Sequence, residues 1–122
     1  MKNTSFLILF FFSLNLTAQK TNPEAIKFYE SGESKQKNQD WTGSISDFNS
    51  ALEISPNYDE AYLQRGVSNL VSENFKQAIE DCTKAIELNP DLGLSPYFVR
   101  GAAQHSLGNH EFAITDYSEA LE

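Results

Sequence analysis

The sequence has a single cysteine and no cluster of basic residues, and both absences narrow its possible functions. Cys82 has no second cysteine with which to form an internal disulfide, so the fold must be stabilised by packing. The chain carries 9 Lys and Arg against 17 Asp and Glu, which gives a net charge of −8. Because binding to nucleic acid requires clustered cations that neutralise phosphates, this balance argues against a nucleic-acid partner.

The sequence also lacks an apolar stretch as long as the ~20 residues that a membrane-spanning helix needs. A shorter apolar run at 6–16 follows Lys2 and is followed by small residues up to Ala18, which is typical of a secretory signal peptide. We expect a signal peptide at 1–18, a short lead at 19–23, and an exported, periplasmic or secreted protein with no membrane span after cleavage. An uncleaved membrane anchor is the alternative interpretation.

One sequence pattern is present three times. The stretches WTGSISDFNSALEISP, FKQAIEDCTKAIELNP and HEFAITDYSEALE begin at Trp41, Phe75 and His110. Residues of one type recur in register: Gly32, Gly66 and Gly101; Phe28, Tyr62 and Tyr97; Ser44, Ala78 and Ala113; Ala51, Ala85 and Ala120. The first two units are spaced by 34 residues, and the third is displaced by one more. A fixed period of this length indicates a repeated structural unit.

Each unit predicts two amphipathic helices. Apolar residues in AIEDCTKAIEL recur at i, i+3, i+4 and i+7, the period of a helix face. Starts of the second helices are indicated by Asp40, Asn74 and Asn109, whose side-chain oxygens can accept from free backbone N–H groups. Asn22-Pro23 indicates the start of the first helix, with proline at the first helical position. Pro56 and Pro90 end the second helices. We expect helices at 24–37, 41–54, 59–71, 75–87, 95–107 and 110–122.

Glycine inside a helix costs about 1 kcal/mol relative to alanine, so the repeated glycines require a structural reason. We expect each glycine to face the small residue of its own second helix, Ser44, Ala78 or Ala113, where the two helices cross closely. Arg65 and Arg100 share one repeat position, and Asp47, Asp81 and Asp116 share another. We therefore hypothesise Arg–Asp pairs, and we expect the first unit, with Ser31 at the arginine position, to lack one.

The spacing of aromatic residue, Gly, Ala, Ala and Pro in a 34-residue helical hairpin resembles the tetratricopeptide repeat (TPR). The resemblance covers repeats at 25–58, 59–92 and 94–122 of a domain at 24–122, with departures at Ser44 and Asn69. It implies an all-α, right-handed superhelical solenoid of antiparallel helix pairs. It also implies a scaffold for protein–protein interactions.

In this family the first helix of each unit lines a concave groove. The positions that correspond to a groove here are Tyr29, Glu33, Leu63, Val67, Phe98, Ala102 and His105, with Leu70 and Val71 either in the groove or packed against neighbouring helices. We interpret Leu63, Val67 and Phe98 as apolar anchors for a protein or peptide segment. One TPR subclass grips the C-terminal carboxylate of chaperones with basic and amide side chains. The matching positions here are Tyr29, Glu33, Gln64, Ser95 and Val99, so we expect no free-carboxylate requirement.

The third unit reaches Glu122 without a closing proline. A solenoid exposes the apolar side of its last unit, so we expect Ile114, Tyr117 and Leu121 to be partly uncovered. A partner, self-association, or further repeats of a longer protein would cover them, and we favour the last. The chain would then be an accessory module in front of an exported enzyme or receptor. A purely structural spacer is a third alternative.

The sequence contains no pattern that indicates catalysis, a metal site or a cofactor. His105 and His110 are poorly spaced for a metal pair, and we interpret them as surface residues. Cys82 takes a position held by Phe48 and Tyr117 in the other units, which indicates a buried, inert thiol. The carboxylates follow the repeat and no glycine-rich phosphate loop is present. We expect no enzyme activity, no metal and no cofactor.

Overall fold

The computed structural model describes residues 22–122, which form six α-helices and no strand. The helices are α1 (Pro23–Lys37), α2 (Trp41–Ile54), α3 (Asp59–Val71), α4 (Phe75–Leu88), α5 (Ser95–Ser106) and α6 (His110–Leu121). Each of the six predicted helices is present, and no bound differs by more than one residue. The predicted signal peptide at 1–18 lies outside the described residues.

The helices pair in the order of the repeat, α1 with α2, α3 with α4 and α5 with α6, and each pair packs on the next. Apolar contacts run between the units as well as within them. One cluster joins Leu52 of the first unit to Ala61 of the second, and another joins Leu63 of the second to Val99 of the third. The all-α solenoid of helix pairs is therefore confirmed. None of the described helices is long and apolar enough to cross a membrane.

The predicted side-chain cap is confirmed at Asp40 and wrong at Asn74 and Asn109. Asn22 and Asp40 accept hydrogen bonds from backbone N–H groups of the following first turn. Asn74 and Asn109 make no such side-chain bond. Their side-chain amides instead donate to polar side chains near the end of the preceding helix. These two residues therefore hold the turn within a unit rather than capping the second helix.

The turn between the two helices of a unit requires a left-handed backbone at one repeat position. Gln39 and Glu73 have φ of 60° and 63° there, and Gly108 has φ of 83° in the third unit. Glycine adopts this conformation without the steric conflict that a Cβ brings. The first two turns therefore contain strain that the third turn avoids.

The close helix crossing at the repeated glycines is confirmed, but the residue that each glycine faces was predicted wrongly. A Cβ added at Gly66 would lie 2.9 Å from Cys82 Sγ, and one added at Gly32 would lie 2.6 Å from Phe48 Cε1. Gly101 has the same relation to the Tyr117 ring, at 2.9 Å. The glycines therefore leave space for the side chains at one repeat position of the second helix, Phe48, Cys82 and Tyr117.

The small residues at the predicted contact have other neighbours. Ala78 approaches the Gly66 site only through its backbone oxygen, at 3.5 Å. Ser44 lies against the next unit, where its Oγ is 2.8 Å from Ser68 Oγ. Ser44 and its counterparts Ala78 and Ala113 are buried. Their small size therefore serves the packing of whole helices rather than a direct contact with glycine.

The predicted Arg–Asp pairs are present in the second and third units. Arg65 Nη2 lies 2.6 Å from Asp81 Oδ1, and Arg100 Nη2 lies 2.7 Å from Asp116 Oδ1. The hydrogen bond to Asp116 raises the pKa of the Arg100 guanidinium. Each pair joins the first helix of a unit to the second, so it fixes their relative register.

The first unit has no arginine pair, as expected, but its aspartate still has partners. Ser31 Oγ donates to Asp47 Oδ2 at 2.6 Å, and Lys35 Nζ lies 2.9 Å from the same oxygen. The Lys35 side chain is 40% exposed, against 23% and 22% for Arg65 and Arg100, so solvent screens this contact more than the two arginine pairs. The lysine was not expected from the repeat, because it lies one helical turn beyond the arginine position.

Candidate functional site

An apolar pocket of about 680 Å³ opens between α3, α5 and α6. Its wall contains Leu63, Gln64 and Val67 from α3; Leu94, Ser95, Phe98 and Val99 at the start of α5; and Tyr117, Ala120 and Leu121 from α6. No charged residue is among them. Residues predicted as two separate sites, the groove and the exposed end, therefore meet in one pocket.

Leu63 does line this pocket, but it is not the exposed anchor that the sequence indicated. Only 7% of its surface is exposed, and it belongs to a buried cluster with Cys82, Ala85 and Val99. Val67 is half-buried against the same cluster. The prediction was wrong because this repeat position contacts the first helix of the following unit, a contact that depends on how the units stack.

Phe98 occupies the repeat position of Tyr29 and Leu63, and it is 58% exposed. Tyr29 is partly covered by the next unit, where its ring stacks on Tyr58 with centroids 5.0 Å apart. The Phe98 ring packs against the Tyr117 ring of its own unit, with centroids 5.7 Å apart. Among the described residues no further unit follows that would cover the other side of the Phe98 ring. Its exposure is therefore a property of the third unit and not of the groove as a whole.

The predicted uncovering of the last unit is confirmed. Ile114 and Leu121 are 65% and 88% exposed, and Tyr117 is half-buried. These three residues lie at i, i+3 and i+7 along α6 and so share one helix face. We call Phe98, Ile114, Tyr117 and Leu121 together the end face.

The remaining groove candidates lie away from the pocket. Ala102 is half-buried and His105 is exposed, with its ring 5.2 Å from that of His110. Glu33 lies near Tyr29 in the first unit, where burial and this carboxylate raise the pKa of the Tyr29 phenol above its ordinary value. None of these residues lines the pocket. The groove was therefore predicted as one surface, whereas the pocket occupies only the part between the second and third units.

Leu70 and Val71 were each predicted either to line the groove or to pack against neighbouring helices, and the structure places them differently. Leu70 packs against the second buried cluster, whereas Val71 is exposed. Five other residues of the pocket wall were not predicted as site residues: Gln64, Leu94, Ser95, Val99 and Ala120. Ala120 recurs with Ala51 and Ala85, so its repeat position was the available signal.

The third-unit side of the pocket is acidic in sequence. From residue 101 to 122 the sequence has four carboxylates and no Lys or Arg. Asp116 is paired with Arg100, whereas Glu119 and Glu122, which are next to the wall residues Ala120 and Leu121 in sequence, are exposed. Negative charge beside an apolar wall favours ligands that combine an apolar contact surface with positive charge.

The site contains no activated nucleophile. Cys82 is buried behind the wall, and burial raises the pKa of its thiol to about 12. A thiol with so high a pKa remains protonated and unreactive at neutral pH. The predicted burial of this cysteine is confirmed, and the apolar wall favours binding by burial of apolar surface.

Comparisons with known proteins agree with this geometry. Residues 59–92, the second unit, match the tetratricopeptide repeat family. A TPR repeat-containing protein of Methanocaldococcus jannaschii is 32% identical over 102 residues, which are 80% of this chain and 18% of that protein. The chain thus spans less than a fifth of the length of that relative.

Solved structures share the fold. The Arabidopsis OM64 TPR domain has a TM-score of 0.78 and 26% identity, with 80% of this chain and 79% of that one covered. The first TPR of Spaghetti, bound to an HSP90 peptide SRMEEVD, has a TM-score of 0.77 and 26% identity, with 80% and 77% covered. The described residues therefore form a TPR-like helical solenoid.

Proposed function

We propose that residues 25–122 are a three-repeat TPR domain that acts as an exported scaffold and binds a segment of another protein. The observation that carries this proposal is the uncharged apolar pocket, in which Phe98 and Leu121 remain exposed. Exposed apolar residues gathered on one concave surface are characteristic of an interaction site. The peptide bound by the first TPR of Spaghetti supports the same role for this fold.

The segment that fits this pocket differs from the acidic HSP90 peptide. The positions that resemble a carboxylate-binding set hold Tyr29, Glu33, Gln64, Ser95 and Val99, none of which is basic. We infer that aliphatic or aromatic side chains anchor the segment and that no free carboxylate is needed. Burying one such side chain contributes roughly 1.5–3 kcal/mol, and after the entropy of association a micromolar Kd is expected.

The test compares two exposed phenylalanines on the third unit. Phe98 lines the pocket and is 58% exposed, whereas Phe112 is 66% exposed and lies outside it. Proteins captured from the exported fraction by the wild-type chain, Phe98→Asp and Phe112→Asp are quantified by mass spectrometry. We expect Phe98→Asp to weaken capture of the partner ~10-fold or more, and Phe112→Asp to leave it unchanged. Equal capture by all three chains would exclude the pocket as the site.

Leu63→Asp is unsuitable for this test, because a charge at that buried position destabilises the fold itself. Circular dichroism of each variant shows whether helical content is retained. A loss of helix in Phe98→Asp removes that variant from the comparison, and Leu121→Asp, at an 88% exposed pocket position, then decides.

A second candidate function is an accessory module of a longer exported protein. It is favoured by the small share, 18%, of the M. jannaschii relative that this chain spans. The length of the native gene product decides between the two. Export is tested separately by N-terminal sequencing of the secreted species, which we expect to begin near Gln19; recovery of a chain that starts at Met1 in the cytoplasm would contradict it.

A further inference from the structure

The two histidines of the chain lie together at the turn that joins the helices of the third unit. His105 is in the last turn of α5, and His110 is the first residue of α6. Their ring centroids are 5.2 Å apart, and both residues are exposed. A spacing of five residues disfavours a metal pair on one straight helix, but here each side chain comes from a different helix. The fold therefore brings together two imidazoles that the sequence separates.

Hydrogen bonds across the turn fix the backbone on which the two histidines stand. The backbone N–H of Gly108 donates to the His105 carbonyl at 3.0 Å, and that of Asn109 donates to the Gln104 carbonyl at 2.9 Å. The side-chain amide of Asn109 also donates to Gln104 Oε1 at 2.8 Å. These bonds join the residue before His105 to the residue before His110. The pair is therefore pre-organised, which lowers the entropic cost of holding a ligand between the two rings.

The same two repeat positions have no imidazole in the earlier units. They are Gln36 and Trp41 in the first unit, and Leu70 and Phe75 in the second. Leu70 packs against a buried cluster, whereas His105 is exposed. Amide and apolar side chains therefore satisfy the packing of the repeat at these positions, and packing does not account for two histidines in the third unit.

The pair supplies ligands of the kind that Zn²⁺ prefers. Neutral imidazole nitrogens bind Zn²⁺ well, whereas Ca²⁺ and Mg²⁺ take oxygen ligands. Two imidazoles on one tetrahedral Zn²⁺, with Zn–N distances of about 2.0–2.1 Å, have ring centroids about 5 Å apart. The separation of 5.2 Å between the rings of His105 and His110 fits this geometry. Because both residues are exposed, each ring can turn about χ2 to direct one nitrogen at the ion.

The charge of the third unit also favours a cation. From residue 101 to 122 the sequence has four carboxylates and no Lys or Arg, so no cation of this segment repels the ion. Within residues 22–122, no third His, Cys, Asp or Glu completes a cluster with the two histidines. Two positions of a tetrahedral ion therefore stay open to water. Binding at such a site is reversible and weaker than at a structural zinc site with four protein ligands.

We propose that His105 and His110 form a two-ligand site for Zn²⁺ at the turn between α5 and α6. The ion links the end of α5 to the start of α6, with water in the remaining coordination positions. With half the protein ligands of a structural site, the expected Kd is on the order of 10 µM. Neither histidine lines the apolar pocket, so this site is separate from the proposed scaffold function and does not rest on it.

A zinc titration of the full chain, produced without a histidine tag, tests the proposal. Because the chain has two histidines, its imidazole proton NMR signals report on the two ligands alone. We expect Zn²⁺ to shift the signals of both rings in parallel until they saturate, EDTA to reverse the shifts, and Ca²⁺ to leave the signals unchanged. A shift of one ring only, no shift, or an equal effect of Ca²⁺ would overturn the proposal.

The second unit supplies matched variants, because Leu70 and Phe75 occupy the positions of the two histidines there. His105→Leu and His110→Phe each remove one ligand and introduce a side chain that the repeat already accommodates. Titration calorimetry should show Zn²⁺ binding weakened at least ~10-fold in either variant. Glu111→Gln removes an exposed neighbouring charge but no ligand, and should change the affinity by less than about 3-fold.

Unchanged Zn²⁺ affinity in both histidine variants, or a loss in Glu111→Gln as large as theirs, would assign the binding to surface carboxylates and exclude the histidine site. Circular dichroism shows whether each variant keeps its helices. If a histidine variant does not fold, the NMR titration of the wild-type chain decides alone.

Discussion

Adding one methyl group at Gly66 probes the close helix crossing on which every unit depends. In Gly66→Ala the new Cβ would lie 2.9 Å from Cys82 Sγ and 3.4 Å from Asp81 Cβ. Carbon contacts are ordinarily about 3.5–4.0 Å, so the sulfur must move by more than half an ångström, within a fully buried site. Overpacking of this kind costs about 1–3 kcal/mol, whereas alanine in place of glycine gains about 1 kcal/mol of helix propensity. We expect a net loss of up to about 2 kcal/mol.

Urea unfolding followed by circular dichroism measures this loss, and a double-mutant cycle with Cys82→Ala assigns its cause. Cys82→Ala alone leaves a small cavity, but in the double variant the methyl group added at Gly66 fills space that the sulfur vacated. The double variant should therefore be more stable than the sum of the single losses by about 1 kcal/mol or more. A Gly66→Ala chain that is more stable than wild type, or a cycle that is additive, would refute the crossing argument.

Two further predictions concern buried charge and the thiol. Arg65→Ala leaves the buried Asp81 without its guanidinium partner and should cost about 2–3 kcal/mol in urea unfolding. Lys35→Ala removes a more exposed partner, and Asp47 keeps its hydrogen bond from Ser31, so this change should cost less than about 1 kcal/mol. Equal losses would contradict this difference. Burial raises the pKa of the Cys82 thiol from 9.0 to about 12. The protonated thiol therefore stabilises the folded state at pH values below ~9. This contribution to the free energy of unfolding is lost as the pH rises from ~9 to ~12. Cys82→Ala should therefore lose less stability than wild type across that window, and an identical pH dependence of the two chains would show that the thiol does not titrate in this way.

The helices and ion pairs could be predicted from sequence because a repeat supplies several copies of each local pattern. The helical period in AIEDCTKAIEL and the proline after it fix α4 without reference to other units. Arg65 and Asp81 recur as Arg100 and Asp116, so the matched repeat positions predict the ion pair from the sequence alone. The caps at Asn74 and Asn109 were predicted wrongly, because an asparagine in this turn can bond either to the backbone of the following helix or to side chains of the preceding one. The sequence alone does not distinguish these two sets of partners.

The site was predicted less well because exposure depends on the neighbouring unit. Leu63 and Phe98 occupy equivalent repeat positions, yet Leu63 is buried in a cluster with Val99 whereas Phe98 is exposed to solvent. The same reasoning misplaced the glycine contact, since helix register decides whether Gly66 meets Ala78 or Cys82. A hydrophobic position in a repeat therefore identifies a contact between units, and only the stacking shows which copy of it is available for a partner.

The central claim, that the pocket binds another protein, is tested most directly by site-specific photo-crosslinking. A photoreactive phenylalanine analogue is placed at Phe98, inside the pocket, or at Phe112, outside it, in the chain as it is expressed natively. Our account predicts one discrete adduct with another protein from position 98 and none from position 112. Equal adducts from both positions, or no adduct from position 98, would contradict it.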